Sequence, residues 1–157
     1  NNIFNIRPAT MSDVNAIAYI LNEVGWFDHI NKGSGEEIER LITEHLNLCL
    51  SDNSHTVLVA ENVSGAVTGY ISVHWAPFLC FTGPEGYISE VFVREEGRGE
   101  GYGLTLVEAV KKEAKKRGCS RLMLLNGKNR LSYIKRFYHK AGFTERPQIA
   151  NFIIPLE

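Results

Sequence analysis

The sequence predicts an α/β fold in which a mixed central sheet carries helices on both faces. Segments whose apolar residues recur with helical spacing alternate along the chain with short runs of the two-residue period typical of strands. Residues 87–117 run from a predicted strand through a glycine-rich turn into a helix. The 157 residues contain no internal repeat, low-complexity tract or linker, so we expect a single domain over residues 1–157.

The first half of the chain is expected to contain a strand, two helices and a hairpin. Residues 2–6 form the predicted first strand, and Ser12 or Asp13 caps a helix whose apolar positions run from Val14 to Leu21. After a glycine loop at 33–35, residues 38–49 show the period of a second helix. Two strands, predicted at 56–61 and 67–75, are separated by turn residues, which indicates a hairpin.

The second half continues the alternation of strands and helices. A strand is predicted at residues 87–93, and an amphipathic helix at 101–117 is stopped by Gly118. Four further elements are expected after it: a strand at 121–125, a helix at 132–141, and two last strands at 143–145 and 149–156.

The turn before the 101–117 helix has the composition of an anion site. The first N–H groups of a helix have no intrahelical partner, and they lie at the positive end of the helix dipole. Glycines at 99, 101 and 103 allow a phosphate to approach the backbone closely. The dinucleotide fingerprint does not fit, because Leu104 or Leu106 stands where its third glycine belongs.

The spacing Arg98-x-x-Gly101-x-Gly103 resembles the Q/R-x-x-G-x-G/A signature of the GNAT superfamily, the acyl-CoA-dependent N-acetyltransferases. A second block, residues 130–143, is similar to the late helix of that family, with an aromatic pair followed by Gly-Phe. The chain departs from the family at Glu95, where proline is frequent, and at Leu131, where many members have a cofactor-contacting asparagine.

This resemblance covers nearly the whole chain and implies a GNAT-like mixed sheet with acetyl-CoA as the acyl donor. The implied reaction is direct attack by a primary amine, of a small molecule or a peptide, within a ternary complex. The alternative is a non-catalytic acyl-CoA-binding or sensor module on the same fold. The residues expected to contact the cofactor are Val91, Phe92, Val93, Arg98, Gly99, Gly101, Tyr102, Gly103 and Leu104.

Two residues are candidates for proton transfer. Tyr138 is the candidate acid, because a phenol can protonate the leaving thiolate and the family's catalytic tyrosine stands at this place in the late helix. Glu90 is the candidate base, because a carboxylate within an apolar strand must be solvated, paired or functional. His74 on the preceding strand, or a water molecule, is the rival base. Backbone N–H groups near Val91 and Phe92 are the expected oxyanion donors.

The acceptor site is only weakly encoded. We expect it to involve Trp26, Phe27, His29, the helix start at Glu36 and Glu37, and the loop 75–81. The aromatic residues among these are equally compatible with a pocket wall, with the core or with a homodimer contact.

Charge and composition exclude several other classes of partner. The formal charge of −1 argues against nucleic acid, and the apolar runs are too short for a membrane span. Three widely spaced cysteines and the absence of a leader lead us to expect reduced thiols and a cytoplasmic location. The histidines show no metal-binding spacing, so no metal is expected.

Overall fold

Five strands form one mixed sheet in the computed structural model, which describes residues 4–156. The strands are β1 (Asn5–Pro8), β2 (His55–Glu61), β3 (Val67–Ala76), β4 (Glu85–Val93) and β5 (Arg121–Leu124). They lie side by side in chain order, with antiparallel pairing from β1 to β4 and parallel pairing between β4 and β5. The predicted mixed sheet and the β2–β3 hairpin are therefore confirmed.

Helices accompany the sheet along the chain. They are α1 (Val14–Val24), α2 (Asp28–Lys32), α3 (Gly35–Leu50), α4 (Tyr102–Lys116), α5 (Leu131–Ile134) and α6 (Phe137–Lys140). Single 3-10 turns precede α1 at Met11–Asp13 and α4 at Glu95–Gly97. The start of α3 is a capping box, since the Ser34 hydroxyl accepts from the Glu37 N–H and the Glu37 carboxylate accepts from the Ser34 N–H.

The two faces of the sheet are covered by different helices. On one face, α1 and α3 pack against each other and against β2 and β3 around a core that includes Ile17, Leu46 and Val59. On the other face α4 packs on β2, β3 and β4, and its Leu106 and Val110 are fully buried. Successive strand residues point to opposite faces, so β3, covered on both sides, is buried along most of its length.

A β-bulge interrupts the pairing of β3 with β4. Ser72 pairs with Glu90, but Val73 pairs with Ile88, so Ser89 is an extra residue in β4. Directly opposite residues of antiparallel strands point to the same face. The bulge therefore turns Glu90 toward the helices α1 and α3, while Ile88 faces α4 and is only 3% exposed.

Several expected elements at the start of the chain differ from the structure. The first strand extends through Pro8 instead of ending at Ile6, and Asn2 and Ile3 of the prediction lie outside the described residues. Asp13 is the N-cap residue of α1, as predicted, but its side chain makes no cap hydrogen bond to that helix. Its carboxylate instead accepts from the N–H of Thr10, which caps the 3-10 turn before α1. The short helix α2 is not predicted, since five residues are too few to show a helical period.

The chain separates into two compact units, residues 1–125 and residues 126–157. In the second unit the predicted helix 132–141 is wrong as one element, because Arg136 adopts a left-handed conformation (φ 57°) between α5 and α6. The predicted strands at 143–145 and 149–156 are also wrong: these residues form no strand in the described structure. Phe152 and Ile154 are 91% and 80% exposed, so strand propensity here finds no pairing partner.

Candidate functional site

A cavity of about 270 Å³ opens between the α1–α3 layer and the sheet. Helices α1, α2 and α3 supply most of its wall, and β2, β3 and β4 form its floor. Its described lining residues are Ile17, Leu21, Phe27, His29, Ile30, Leu41, Ile42, His45, Leu46, Cys49, Val57, Tyr70, Ser72 and Glu90. The cavity thus contains the candidate base and two of the expected acceptor-site residues, Phe27 and His29.

Glu90 is held at the floor of this cavity by a tyrosine from the neighbouring strand. The Tyr70 hydroxyl donates to Oε1 of Glu90 over 2.9 Å. Tyr70 itself is only 2% exposed, and its ring packs against Phe92 with a centroid separation of 6.0 Å. The carboxylate therefore has one fixed oxygen within a largely apolar surrounding. The sequence alone did not identify Tyr70 as a partner of Glu90. In the structure Ser72 pairs with Glu90, and Tyr70, two residues before Ser72 in β3, points to the same face of the sheet.

The surroundings of Glu90 shift its ionisation. Burial raises the pKa of Glu90 above its ordinary value of 4.5, and the Tyr70 hydrogen bond and the charge of His45 act in the opposite direction. Burial, together with the nearby Glu90 charge, raises the pKa of Tyr70 well above 10, so this phenol stays a donor. Such a carboxylate is neutral to a higher pH than a solvated one, which suits a group that accepts a proton near neutrality.

His74, the rival base, has other partners. Its Nε2 lies 2.9 Å from the Ser89 hydroxyl, and its ring packs on His55 with a centroid separation of 4.5 Å. Burial and the adjacent His55 lower the pKa of His74. The described residues that line the cavity do not include His74. The structure thus brings Glu90, but not His74, into the cavity wall.

Other residues expected at the acceptor site lie elsewhere. Glu37 is engaged in the capping box of α3, and the described cavity lining includes neither Trp26 nor any residue of the 75–81 loop. Trp26 is 47% exposed and packs edge-on against Phe92. Within the loop, Phe78 packs on Phe81.

The outer edge of β4 is open over its second half. Parallel pairing with β5 covers only the register from Glu85 opposite Arg121 to Ile88 opposite Leu124. Within the described residues, positions 89–93 have no strand on that side. Successive N–H groups of a strand point to opposite edges, so alternate residues of this segment, which contains Val91, Phe92 and Val93, present donors to the open edge.

This open edge leads directly into the glycine-rich turn. Gly101 adopts a left-handed conformation (φ 94°) and caps α4, so that the N–H groups of Tyr102, Gly103 and Leu104 form the unpaired first turn of the helix. Gly99 is also left-handed (φ 82°), with open space around it. The turn therefore has the backbone donors that an anion needs.

Side chains fix the turn in place. A Cβ on Gly97 would lie 2.4 Å from Cγ2 of Thr68, so this position requires glycine because of close packing. The Tyr102 ring is 7% exposed and stacks on Phe4, which leaves its N–H, and not its ring, for a ligand. Arg98 is exposed, and its Nε donates to the Val93 carbonyl over 3.3 Å. Its guanidinium thus lies beside the end of β4.

Tyr138, the candidate acid, belongs to α6 in the second unit. It is half-buried, and its ring packs edge-on against Phe137 and Phe143 at centroid separations of 4.9 Å and 5.9 Å. Burial raises the pKa of Tyr138 above 10, which keeps the phenol protonated at neutral pH. Its neighbour Tyr133 donates to the Glu145 carboxylate and is occupied in that way.

The described residues contain no cluster of three or more His, Cys, Asp or Glu side chains suited to a metal ion. They also contain no helix with the length and apolarity needed to cross a membrane. The cysteines Cys49, Cys80 and Cys119 are free thiols.

Comparison with known proteins identifies the class. The sequence model of the Acetyltransferase (GNAT) family matches residues 21–143. The chain therefore belongs to this family of acetyltransferases, which confirms the resemblance drawn from the Arg98–Gly103 spacing. Its five-stranded mixed sheet is the fold of the solved structures that it matches.

Relatives of the chain act on different acceptors. Glucosamine 6-phosphate N-acetyltransferase 1 of Oryza sativa is 29% identical over 149 residues, covering 91% of this chain and 82% of that protein. An L-methionine sulfoximine/L-methionine sulfone acetyltransferase of Pseudomonas aeruginosa is 37% identical over 65 residues, 41% of this chain and 37% of the relative. The crystal structure of glucosamine-6-phosphate N-acetyltransferase from Arabidopsis thaliana has a TM-score of 0.71 at 26% identity, covering 96% and 99% of the two chains.

Proposed function

We propose that this protein is an N-acetyltransferase that moves the acetyl group of acetyl-CoA to a primary amine by direct attack in a ternary complex. The observation that carries the proposal is the continuity of the open edge of β4 with the glycine turn at the start of α4. An extended ligand that ends in a pyrophosphate matches such a surface, because its amide groups can pair along the edge while its phosphates meet the helix N-terminus.

In the proposed complex the donor is bound by two segments of the chain. The N–H groups of Gly99 and of residues 101–104 hold the pyrophosphate, and the exposed Arg98 adds a positive charge beside it. The residues Val91, Phe92 and Val93 pair with the pantetheine arm along the open edge. This division matches the two parts of the donor, one anionic and one amide-like.

The proposed reaction assigns one group to each proton. The neutral amine nitrogen attacks the thioester carbonyl carbon, forms the C–N bond and places negative charge on the carbonyl oxygen. An N–H near Val91 or Phe92 stabilises that oxyanion. Glu90 accepts the proton lost by the amine, directly or through water, and the C–S bond breaks as Tyr138 protonates the departing thiolate. The products are the acetylated amine and free coenzyme A.

Binding of the donor is tested first by thermal unfolding with and without acetyl-CoA. A ligand that binds only the folded state at about 100 times its Kd adds about 2.7 kcal/mol to the free energy of unfolding. For a chain of this length, that corresponds to a rise of about 5 to 10 °C in Tm. Gly101→Asp should abolish the rise, because it adds a negative charge at the phosphate position.

The matched control is Gly118→Asp, just beyond the C-terminal end of α4. Gly118 is also left-handed (φ 69°), and a Cβ there would meet nothing within 4 Å, so the variant adds backbone strain and a negative charge at the opposite end of the helix from Gly101. This variant should keep the full rise in Tm. If Gly101→Asp also kept it, the turn would not be the phosphate site. Release of free thiol from acetyl-CoA in the presence of amines then separates an enzyme from an acyl-CoA sensor, which would bind without turnover.

A further inference from the structure

We infer that the acceptor is a small primary amine on an apolar body, such as an arylalkyl or branched alkyl amine, and that it carries no phosphate or carboxylate. The inference rests on the proposed function and deepens it. It is carried by the composition of the cavity wall around Glu90.

The wall of the cavity is apolar. Eight of the described lining side chains are hydrocarbon, among them Leu21 on α1, Leu41 on α3 and the Phe27 ring. The eight come from α1, α2, α3, β2 and the segment before α2, so they enclose a ligand from more than one side. Apolar surface of this kind gains free energy by burying hydrocarbon and gains none from hydroxyl or charged groups.

No lysine or arginine is among the described residues that line the cavity. The one carboxylate there is Glu90, and the histidines His29 and His45 are exposed residues. A phosphate or carboxylate bound inside would find no lysine or arginine in the described wall and would face the Glu90 carboxylate. Burying an unpaired anion is costly, whereas an amine loses its proton to Glu90 and so needs no other polar partner.

The cavity has the dimensions of a small-molecule site. Its volume of about 270 Å³ lies just below the range of about 300–1,000 Å³ that is usual for ligand pockets. A small amine such as 2-phenylethylamine fits within it, and the composition of the wall, not its volume, distinguishes such an acceptor from a hexosamine phosphate. The relatives named for glucosamine 6-phosphate share the family with this chain, but the described wall of this cavity contains no lysine or arginine that could pair with a phosphate.

The test compares acceptors with the purified full-length chain and acetyl-CoA. Thiol release is measured with 2-phenylethylamine, 2-methylpropylamine, glucosamine, glucosamine 6-phosphate and a short peptide with a free N-terminus. We expect kcat/KM for 2-phenylethylamine to exceed that for glucosamine 6-phosphate by at least about a hundredfold. A preference for the phosphorylated sugar, for the peptide, or turnover of none of the five, would overturn the inference while acetyl-CoA binding persisted.

A pair of variants on α3 links the preference to this cavity. Leu41 lines the cavity, and Leu48 on the same helix is 64% exposed. Leu41→Phe fills part of the cavity, so it should lower kcat/KM for 2-phenylethylamine about tenfold more than for 2-methylpropylamine. Leu48→Phe should leave the ratio unchanged, and equal ratios in both variants would overturn the assignment. If the parent protein did not bind acetyl-CoA, the proposed function would be refuted, and the inference with it.

Discussion

Removal of one hydroxyl group tests how the cavity prepares its carboxylate. Tyr70 donates to Oε1 of Glu90 over 2.9 Å, and the two side chains lie on adjacent strands of the sheet. Tyr70→Phe deletes this donor and keeps the buried ring and its contact with Phe92. The other groups that affect Glu90 remain, namely His45 on α3 and the Cys49 thiol, whose own pKa is raised by burial and by the Glu90 charge.

The expected size of the effect follows from the hydrogen bond. A hydrogen bond to a charged group contributes about 1.5–3 kcal/mol, and one pKa unit corresponds to about 1.36 kcal/mol. The bond to Tyr70 lowers the pKa of Glu90, so its loss raises that pKa further. The fraction of ionised Glu90 at a pH below both values then falls about ten- to a hundredfold. At a pH well above both values it is unchanged.

The assay is the pH dependence of kcat/KM for one amine acceptor. Dividing the value of the variant by that of the parent cancels the ionisation of the amine, which is the same for both proteins. The ratio should lie near 0.1 to 0.01 at low pH and approach one as pH rises, within these order-of-magnitude limits. A useful control is Tyr133→Phe, which removes a tyrosine–glutamate hydrogen bond from the second unit and should give a ratio independent of pH.

A pH-independent loss of activity in Tyr70→Phe would refute the reasoning. In that case the hydroxyl would act only through the structure of the cavity, and Glu90 would not be the group whose ionisation limits the reaction. A ratio of one at every pH would lead to the same conclusion about Glu90.

Two further variants test the proton-transfer roles. Glu90→Gln should slow turnover most near neutrality and recover at high pH, where the amine is already neutral; a profile parallel to that of the parent would make Glu90 structural. The same variant should be more stable than the parent at neutral pH. Because the pKa of Glu90 is raised in the folded state, Glu90 does not destabilise the folded protein below about pH 4.5, where its carboxyl group is neutral in both states. As pH rises through the raised pKa, the buried carboxylate ionises and the parent loses stability that the neutral Gln retains. Urea unfolding at neutral and at acid pH measures this gain in the free energy of unfolding, which should vanish at acid pH. Tyr138→Phe should keep acetyl-CoA affinity and lower kcat by roughly ten- to a thousandfold; an unchanged single-turnover rate would remove Tyr138 from the reaction.

Local patterns in the sequence were sufficient to predict most of the first unit. Helical spacing predicted α1, α3 and α4, and the alternation of strands predicted the hairpin, because each of these elements buries one regular face. The glycine turn was predictable for a related reason. The left-handed backbone at positions 99 and 101 favours glycine, and this preference can be read in the sequence, whereas a packing contact cannot.

The orientation of Glu90 could not be predicted from the sequence. Strict alternation places Ile88 and Glu90 on one face, and only the bulge at Ser89 separates them. A bulge depends on the pairing of two strands that are distant in sequence, so no local pattern predicts it. The contact between Tyr70 and Glu90 depends on the same pairing, which explains why Tyr70 went unrecognised.

The errors in the second unit have a different origin. Residues 149–156 have the apolar and β-branched composition of a strand, but strand propensity is realised only where a neighbouring strand supplies hydrogen bonds. The 132–141 segment has helical spacing, yet the left-handed Arg136 divides it into two single turns. Both outcomes depend on tertiary context that periodicity does not contain.

The open half of β4 also carries a risk of aggregation. Unpaired N–H and C=O groups along a strand are a template for another polypeptide, including a second molecule of the same chain, and exposed edges of this kind promote aggregation. Here the template is short. The bulge at Ser89 twists the strand at one end, and Arg98 occupies the Val93 carbonyl at the other. Four residues of β4 are enough to pair with β5, so the length of the open segment alone does not prevent pairing with another strand. We therefore expect the bulge and the Arg98 contact, which disturb the two ends of the segment, to limit pairing with unwanted partners.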